Sequence, residues 1–311
     1  MKKVFNSIIL VSLLALLMGA CAAPAPQQEE GLRVLASTTF LADIAQNVAG
    51  GRARVESLLP AGADPHAYQA APSDVAKITA SQALVLNGVE YEHFIEPLLE
   101  NAGGERLIIE ASAGLTPRAG GDHADETGPG AGADHEAGDP HMWLDPVLVV
   151  RYVENIRDGL IEADPAGAGV YKANAEAYIA QLKDLDAWIR SQVETVPAGR
   201  RLLVTNHGTL GYFAERYRFT VVESILPSFS SEATASAREI AAAIEAVRAS
   251  GAPAIFLGDV ENASLADQIA SETGVRVVSD LHLESLTDGA PAATYIEMMK
   301  YNVARIVEAL K

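Results

Sequence analysis

The chain has 311 residues, of which 49% are hydrophobic and 21% charged, and a formal charge of −18. That length allows two ordinary domains or one large α/β domain, and the composition supports a full core. The acidic balance excludes nucleic acid as a partner, because its phosphates would be repelled, and it adds a weak general pull on cations.

The first residues read as a targeting segment. Lys2 and Lys3 precede an eleven-residue apolar run, Ile8 to Met18, broken only by Ser12. The run is too short to span a membrane, and no later stretch is long enough, so residues 1–20 are expected to be a signal peptide. Cys21 is the one cysteine, which rules out an internal disulfide. Leu17-Met18-Gly19-Ala20-Cys21 resembles a bacterial lipobox, which implies cleavage before Cys21 and lipidation of its thiol. The alternative is cleavage nearby by the general signal peptidase. Residues 21–31, rich in Ala, Pro, Gln and Glu, then form a flexible tether.

From Leu32 short apolar runs alternate with amphipathic stretches. Leu32–Ala36, Val55–Leu59, Ala83–Leu86 and Leu107–Ile109 read as strands. Helices are expected over Phe40–Val48, from an N-cap at Ser73 through Ala80, and over Glu92–Asn101. Strands separated by helices predict a parallel sheet of βαβ units. Arg118 to Gly138 has no large apolar residue, only small and acidic residues with His123 and His135, and is expected to be disordered. Val147–Glu162 reads as a helix. In Ala168–Val193, apolar residues Tyr171, Ala175, Tyr178, Leu182, Leu185, Ile189 and Val193 recur every three or four positions. They predict one long helix of roughly 40 Å.

The alternation then restarts. Strands are expected at Arg201–Thr205, Phe219–Val222, Ala254–Leu257 and Val275–Ser279, and helices at Leu210–Tyr217, Ser236–Ala249, Ser264–Glu272 and Ala293–Leu310. The reading is two Rossmann-like α/β lobes joined by one long helix: an N-terminal lobe over 32–165, a linking segment over 166–197 and a C-terminal lobe over 198–311.

Chemistry concentrates in two elbows, Asp64-Pro65-His66 and Asp139-Pro140-His141, in a chain with seven histidines. Proline fixes φ before each histidine and presses the preceding aspartate into an extended conformation, giving a stiff mount that presents the ring outward. Imidazoles so mounted suit metal ligation or proton transfer. Ligands bind at the carboxyl ends of strands in open parallel sheets. His66, His141, His207 and Asp280 all follow expected strands, two per lobe, so a cleft between the lobes would gather four donors. Three imidazoles and a carboxylate suit zinc in tetrahedral geometry. Asp259 and Glu261 also follow a strand and are alternative fourth donors. His282, two residues after Asp280, reads as a loop residue, His93 as solvated, and His123 with His135 as a weak collector of cations. Trp143 is expected to anchor its elbow by burial.

These motifs carry a resemblance. Gly62-Ala63-Asp64-Pro65-His66, Asn87-Gly88, Asp139-Pro140-His141-Met142-Trp143-Leu144-Asp145-Pro146, Asn206-His207-Gly208 with Gly211-Tyr212-Phe213, Val278-Ser279-Asp280 and Tyr295 through Asn302 together resemble the metal-receptor (solute-binding) lipoproteins of bacterial ABC-type zinc and manganese importers. The resemblance runs from about Leu32 to the C-terminus. It implies two α/β lobes on a rigid linking helix with metal held between them, and ligands at His66, His141, His207 and Asp280. Histidine at the third position is the zinc-type choice, where many manganese receptors carry glutamate. The acidic loop with two histidines is a modest version of one often seen in zinc-type members. The expected function is capture of Zn²⁺ outside the cytoplasmic membrane and delivery to a membrane permease, by a monomer anchored through Cys21. Mn²⁺ or Fe²⁺ is the alternative cargo.

A zinc hydrolase is the rival from another class. A catalytic zinc keeps an open position for water beside a general base. Four protein donors would close the shell, and the sequence has no His-Glu-x-x-His motif. A cell-adhesion role would differ in partner rather than in fold.

Overall fold

The computed structural model describes residues 31–119, 138–226 and 228–311. The expected signal peptide, Cys21, nearly all of the tether, and the acidic segment with His123 and His135 lie outside the described residues. Residues Leu32–Lys311 form one compact unit.

The first half contains β1 (Leu32–Ala36), α1 (Thr39–Ala49), β2 (Ala53–Ser57), α2 (Pro72–Ala80), β3 (Ala83–Leu86), α3 (Ile95–Ala102) and β4 (Leu107–Glu110). Its strands pair in parallel in the order β2-β1-β3-β4. Two helices follow, α4 (Pro146–Ala163) and α5 (Ala168–Val193). The second half contains β5 (Leu202–Thr205), α6 (Gly211–Tyr217), β6 (Thr220–Ser224), α7 (Ala237–Ser250), β7 (Ala254–Gly258), α8 (Ser264–Thr273), β8 (Arg276–Leu281) and α9 (Tyr295–Leu310). Its parallel order is β6-β5-β7-β8. The alternation of strand and helix dictates this outcome, since parallel neighbours need a crossover that covers the sheet. All five residues of β7 are accordingly buried.

The seven apolar positions of α5 are all buried. The helix packs on α1 and α4 from the first half and on α9 from the second, so one hydrophobic core runs through both halves.

Several boundaries differ from the sequence reading, such as β2 at Ala53–Ser57 rather than Val55–Leu59, and three of the differences have a clear local reason. Ser73 does not cap α2. The helix starts at Pro72, and Asp74 turns back to accept from the Ala71 amide at 2.8 Å and the Tyr68 hydroxyl at 2.6 Å. α3 begins at Ile95 rather than Glu92, because the Glu92 carboxylate is drawn inward. It accepts from Ser37 Oγ at 2.7 Å and from the Asn87 and Gly88 amides at 2.6 and 3.3 Å. β8 runs on to Leu281, which leaves Asp280 inside the strand rather than after it.

Leu182 is fully buried on α5, whereas its neighbour Lys183 is exposed. Leu182→Ala is expected to lower unfolding free energy by about 2–5 kcal/mol, and Lys183→Ala to change it by less than about 0.5 kcal/mol. Denaturant titration of the two variants checks this; equal effects would remove α5 from the core.

Candidate metal centre

Both Asp-Pro-His elbows fold the same way. The aspartate Oδ1 accepts from the backbone amide of the histidine two residues on, at 2.9 Å in Asp64–His66 and 3.0 Å in Asp139–His141. Aspartate favours this local turn, and the proline between suits it. The rings do not face outward as the elbows suggested: the His141 side chain is fully buried and that of His66 is only 5% exposed. His207 follows β5 in Asn206-His207-Gly208 and is also fully buried. Gly208 permits the close approach of the next loop, because a Cβ there would sit 2.5 Å from the Phe229 ring.

The three imidazoles converge. Their ring centroids lie 5.4 to 5.9 Å apart. The fourth member is Glu284, not Asp280. Glu284 Oε1 stands 3.2 Å from His66 Nε2, 3.5 Å from His141 Nε2 and 3.0 Å from His207 Nε2. One ligand atom from each of the four residues falls within 4.8 Å of the others. Four donors at zinc-like bond lengths are separated by about 3.3 Å in a tetrahedron, so the oxygen already stands near the required distance from each nitrogen.

Asp280 is engaged elsewhere. From within β8 it accepts from the Tyr301 hydroxyl at 2.8 Å and pairs with Arg305 at 3.0 Å. Its carboxyl group serves a surface pair between β8 and α9. Glu284 comes three residues after the strand and is clamped on both flanks. Trp143 Nε1 donates to the Leu283 carbonyl at 2.8 Å, and the Gly62 amide donates to Ser285 Oγ at 2.8 Å. The Leu286 amide also donates to Thr39 Oγ1 at 2.8 Å. Trp143 is fully buried and stacks on Phe40 at 4.5 Å, so it anchors the elbow and the carboxylate loop together. The local sequence signal for Glu284 is weak, an acidic residue among the leucines Leu281, Leu283 and Leu286.

Further carboxylates orient two of the rings. Asp139 Oδ1 accepts from His141 Nδ1 at 2.8 Å, and Glu261 Oε1 lies 2.8 Å from His207 Nδ1. Each leaves Nε2 directed at the cluster, the arrangement that fixes the tautomer of a metal-ligating histidine. Glu261 thus backs a ring instead of joining the four. Asp259 pairs with His282 Nδ1 at 2.8 Å, away from the cluster.

Burial alone lowers the His207 pKa, but Glu261 and Glu284 outweigh it and raise it to about 10. For His141, burial also opposes the charge, and Asp139 and Glu284 more than offset it. Burial would raise Glu284, yet the surrounding imidazoles hold it well below the usual carboxylate range. Without metal, then, an ionised Glu284 faces a protonated His207.

A family model described as ZnuA, zinc-uptake complex component A, periplasmic, matches residues 34–309. The chain belongs to this family. It is a metal-binding receptor of the ABC-importer type, extracytoplasmic and not an enzyme. It is 32% identical over 325 residues to the manganese-binding lipoprotein MntA of Halalkalibacterium halodurans, covering 100% of this chain and 99% of that one. It is also 32% identical over 277 residues to the iron-binding protein YfeA of Yersinia pestis, covering 89% and 85%. Among solved structures, a manganese-bound periplasmic metal-binding protein from Candidatus Liberibacter asiaticus superposes with a TM-score of 0.78 at 27% identity, covering 90% of this chain and 100% of that chain. The periplasmic zinc-binding protein TroA from Treponema pallidum gives 0.78 at 26% identity, covering 90% and 99%. The two-lobed parallel α/β fold is shared, and the clustered donors suit a divalent metal.

Alanine at His66, His141, His207 or Glu284 is expected to weaken tight metal binding by at least about a hundredfold, since each removes one of four bonds. Asp280→Asn is expected to leave affinity unchanged. Calorimetry decides: loss of tight binding in Asp280→Asn would return that residue to the site.

The raised His207 pKa contributes stability that is full below its unfolded value and is lost as pH rises through about 10. The depressed Glu284 pKa contributes stability present above its unfolded value and lost as pH falls through the folded one. The metal-free protein should therefore lose stability between about pH 7 and 10, and metal uptake at pH 7 should release at least about one proton. Titration in buffers of different ionisation enthalpy measures that proton; none released would contradict a protonated His207.

Proposed function

We propose that the chain captures one Zn²⁺ between its two sheets and hands it to the permease of an ABC importer, as a monomer tethered to the membrane by lipidated Cys21. In this reading 32–165 and 198–311 are the lobes and 166–197 the linking segment, a division supported by the two separate sheets. The donor set supports zinc most directly: three imidazole nitrogens and one carboxylate face a single point, all four side chains nearly or fully buried. Zinc favours four such donors, whereas manganese favours more oxygen and higher coordination. Among the described residues no helix is long and apolar enough to cross a membrane, which suits anchoring at the N-terminus. The relatives named as lipoproteins support the same placement.

Mn²⁺ or Fe²⁺ is the second reading. Glu284 Oε2 is buried without a hydrogen-bond partner, so it is free to close on an ion as a second oxygen. The relatives named for manganese and iron point the same way.

Competition titration with Zn²⁺ and Mn²⁺ tests the choice. Zinc is expected to displace manganese completely at equal concentration, and His207→Glu to narrow the affinity ratio by about tenfold or more, because carboxylate is the harder donor. A wild type that prefers manganese, or a ratio unmoved by His207→Glu, would overturn the zinc reading.

A further inference from the structure

Three of the clustered side chains are sealed: His141 and His207 are fully buried and Glu284 is 1% exposed. His66 is the fourth, and it forms a wall of a small cavity of about 20 Å³, room for about one water-sized particle. The other walls come from the turn after β3, from the Pro140 elbow and from Phe229 with Ser230. Two wall residues have metal-ligating side chains and are exposed, Glu90 and His93. Among the described residues neither has a hydrogen-bond or ion-pair partner. Glu92 between them is saturated by the three groups described above.

The turn that carries them is strained. Val89 and Glu90 have φ of 56° and 54°, a region that a β-branched valine in particular avoids. Such a conformation persists only where the surroundings impose it. Here the buried Glu92 carboxylate imposes it by holding the Asn87 and Gly88 amides, and Asn87 Nδ2 in turn donates to the Pro140 carbonyl at 3.1 Å. The same hydrogen bonds that fix the His141 elbow thus set Glu90 beside the cavity that His66 faces.

We propose that Glu90 and His93 form an entry station for a divalent cation, which passes from them to His66 and then into the four-donor cluster. The proposal rests on the reading of that cluster as the metal site. A hydrated dication cannot shed its water all at once in a space of this size. A carboxylate and an imidazole at the rim replace some of that water, and His66 then replaces more. Two donors bind weakly enough to let the ion move on, as a conduction site must.

Stopped-flow fluorescence with Zn²⁺ alone tests this, because Tyr91 lies 5.4 Å from the His66 ring and Trp143 5.1 Å from the His141 ring. In Glu90→Gln/His93→Ala, association and chelator-driven dissociation are both expected to slow by about three- to tenfold at low salt, with Kd unchanged. Both substituted side chains are exposed, and an unchanged melting curve confirms the fold. Rates equal to wild type would overturn the station, as would a weaker Kd from faster dissociation alone. A wild type without a tight site would instead sink the proposed function, which separates the two failures.

Discussion

A single buried carboxylate sets the terms for the whole molecule. Glu284 is 1% exposed, and an ionised carboxylate taken from water costs several kcal/mol unless it is compensated. Three Nε2 atoms within 3.5 Å of one of its oxygens supply that compensation, through protons or through a metal ion. An ionised carboxylate alone could not be held here. The cluster is stable only with positive charge at its centre, and that requirement makes it a receptor for a cation.

The fold delivers these groups from separate elements and fixes them before an ion arrives. His66 and His141 follow strands of the first sheet, and His207 and Glu284 follow strands of the second. The two elbows then differ in what their aspartates do. Asp139 uses Oδ1 for both the amide and the ring of His141. Asp64 gives Oδ1 to the His66 amide, and its Oδ2 accepts from Ser231 Oγ in the second half at 2.6 Å. Both mounts are also tied across the two halves, since the Tyr212 hydroxyl donates to the Asp139 carbonyl at 2.7 Å. His66 also lines the small cavity beside the cluster.

Much of this was legible in the chain itself. Period-3.6 apolar residues marked α5, and alternating strands and helices marked both parallel sheets, because those patterns reflect what a buried face demands. The repeated Asp-Pro-His marked two histidines, and a strand running into Asn206-His207-Gly208 marked the third. Glu284 was not legible, for a physical reason. Strand-end logic stopped at Asp280, but β8 extends two residues further than its apolar pattern, and Glu284 sits on the loop beyond. That position is fixed by long-range partners, Trp143, Gly62 and Thr39, which no local pattern announces. Glu261 shows the converse: it follows a strand, yet it faces His207 Nδ1 rather than joining the four.

X-ray absorption at the zinc edge of the stoichiometrically loaded protein measures the central arrangement directly. Three imidazole nitrogens and carboxylate oxygen are expected at about 2.0–2.1 Å in a four-coordinate shell. A shell with two or fewer imidazoles, or with six oxygen and nitrogen donors at longer distances, would contradict it.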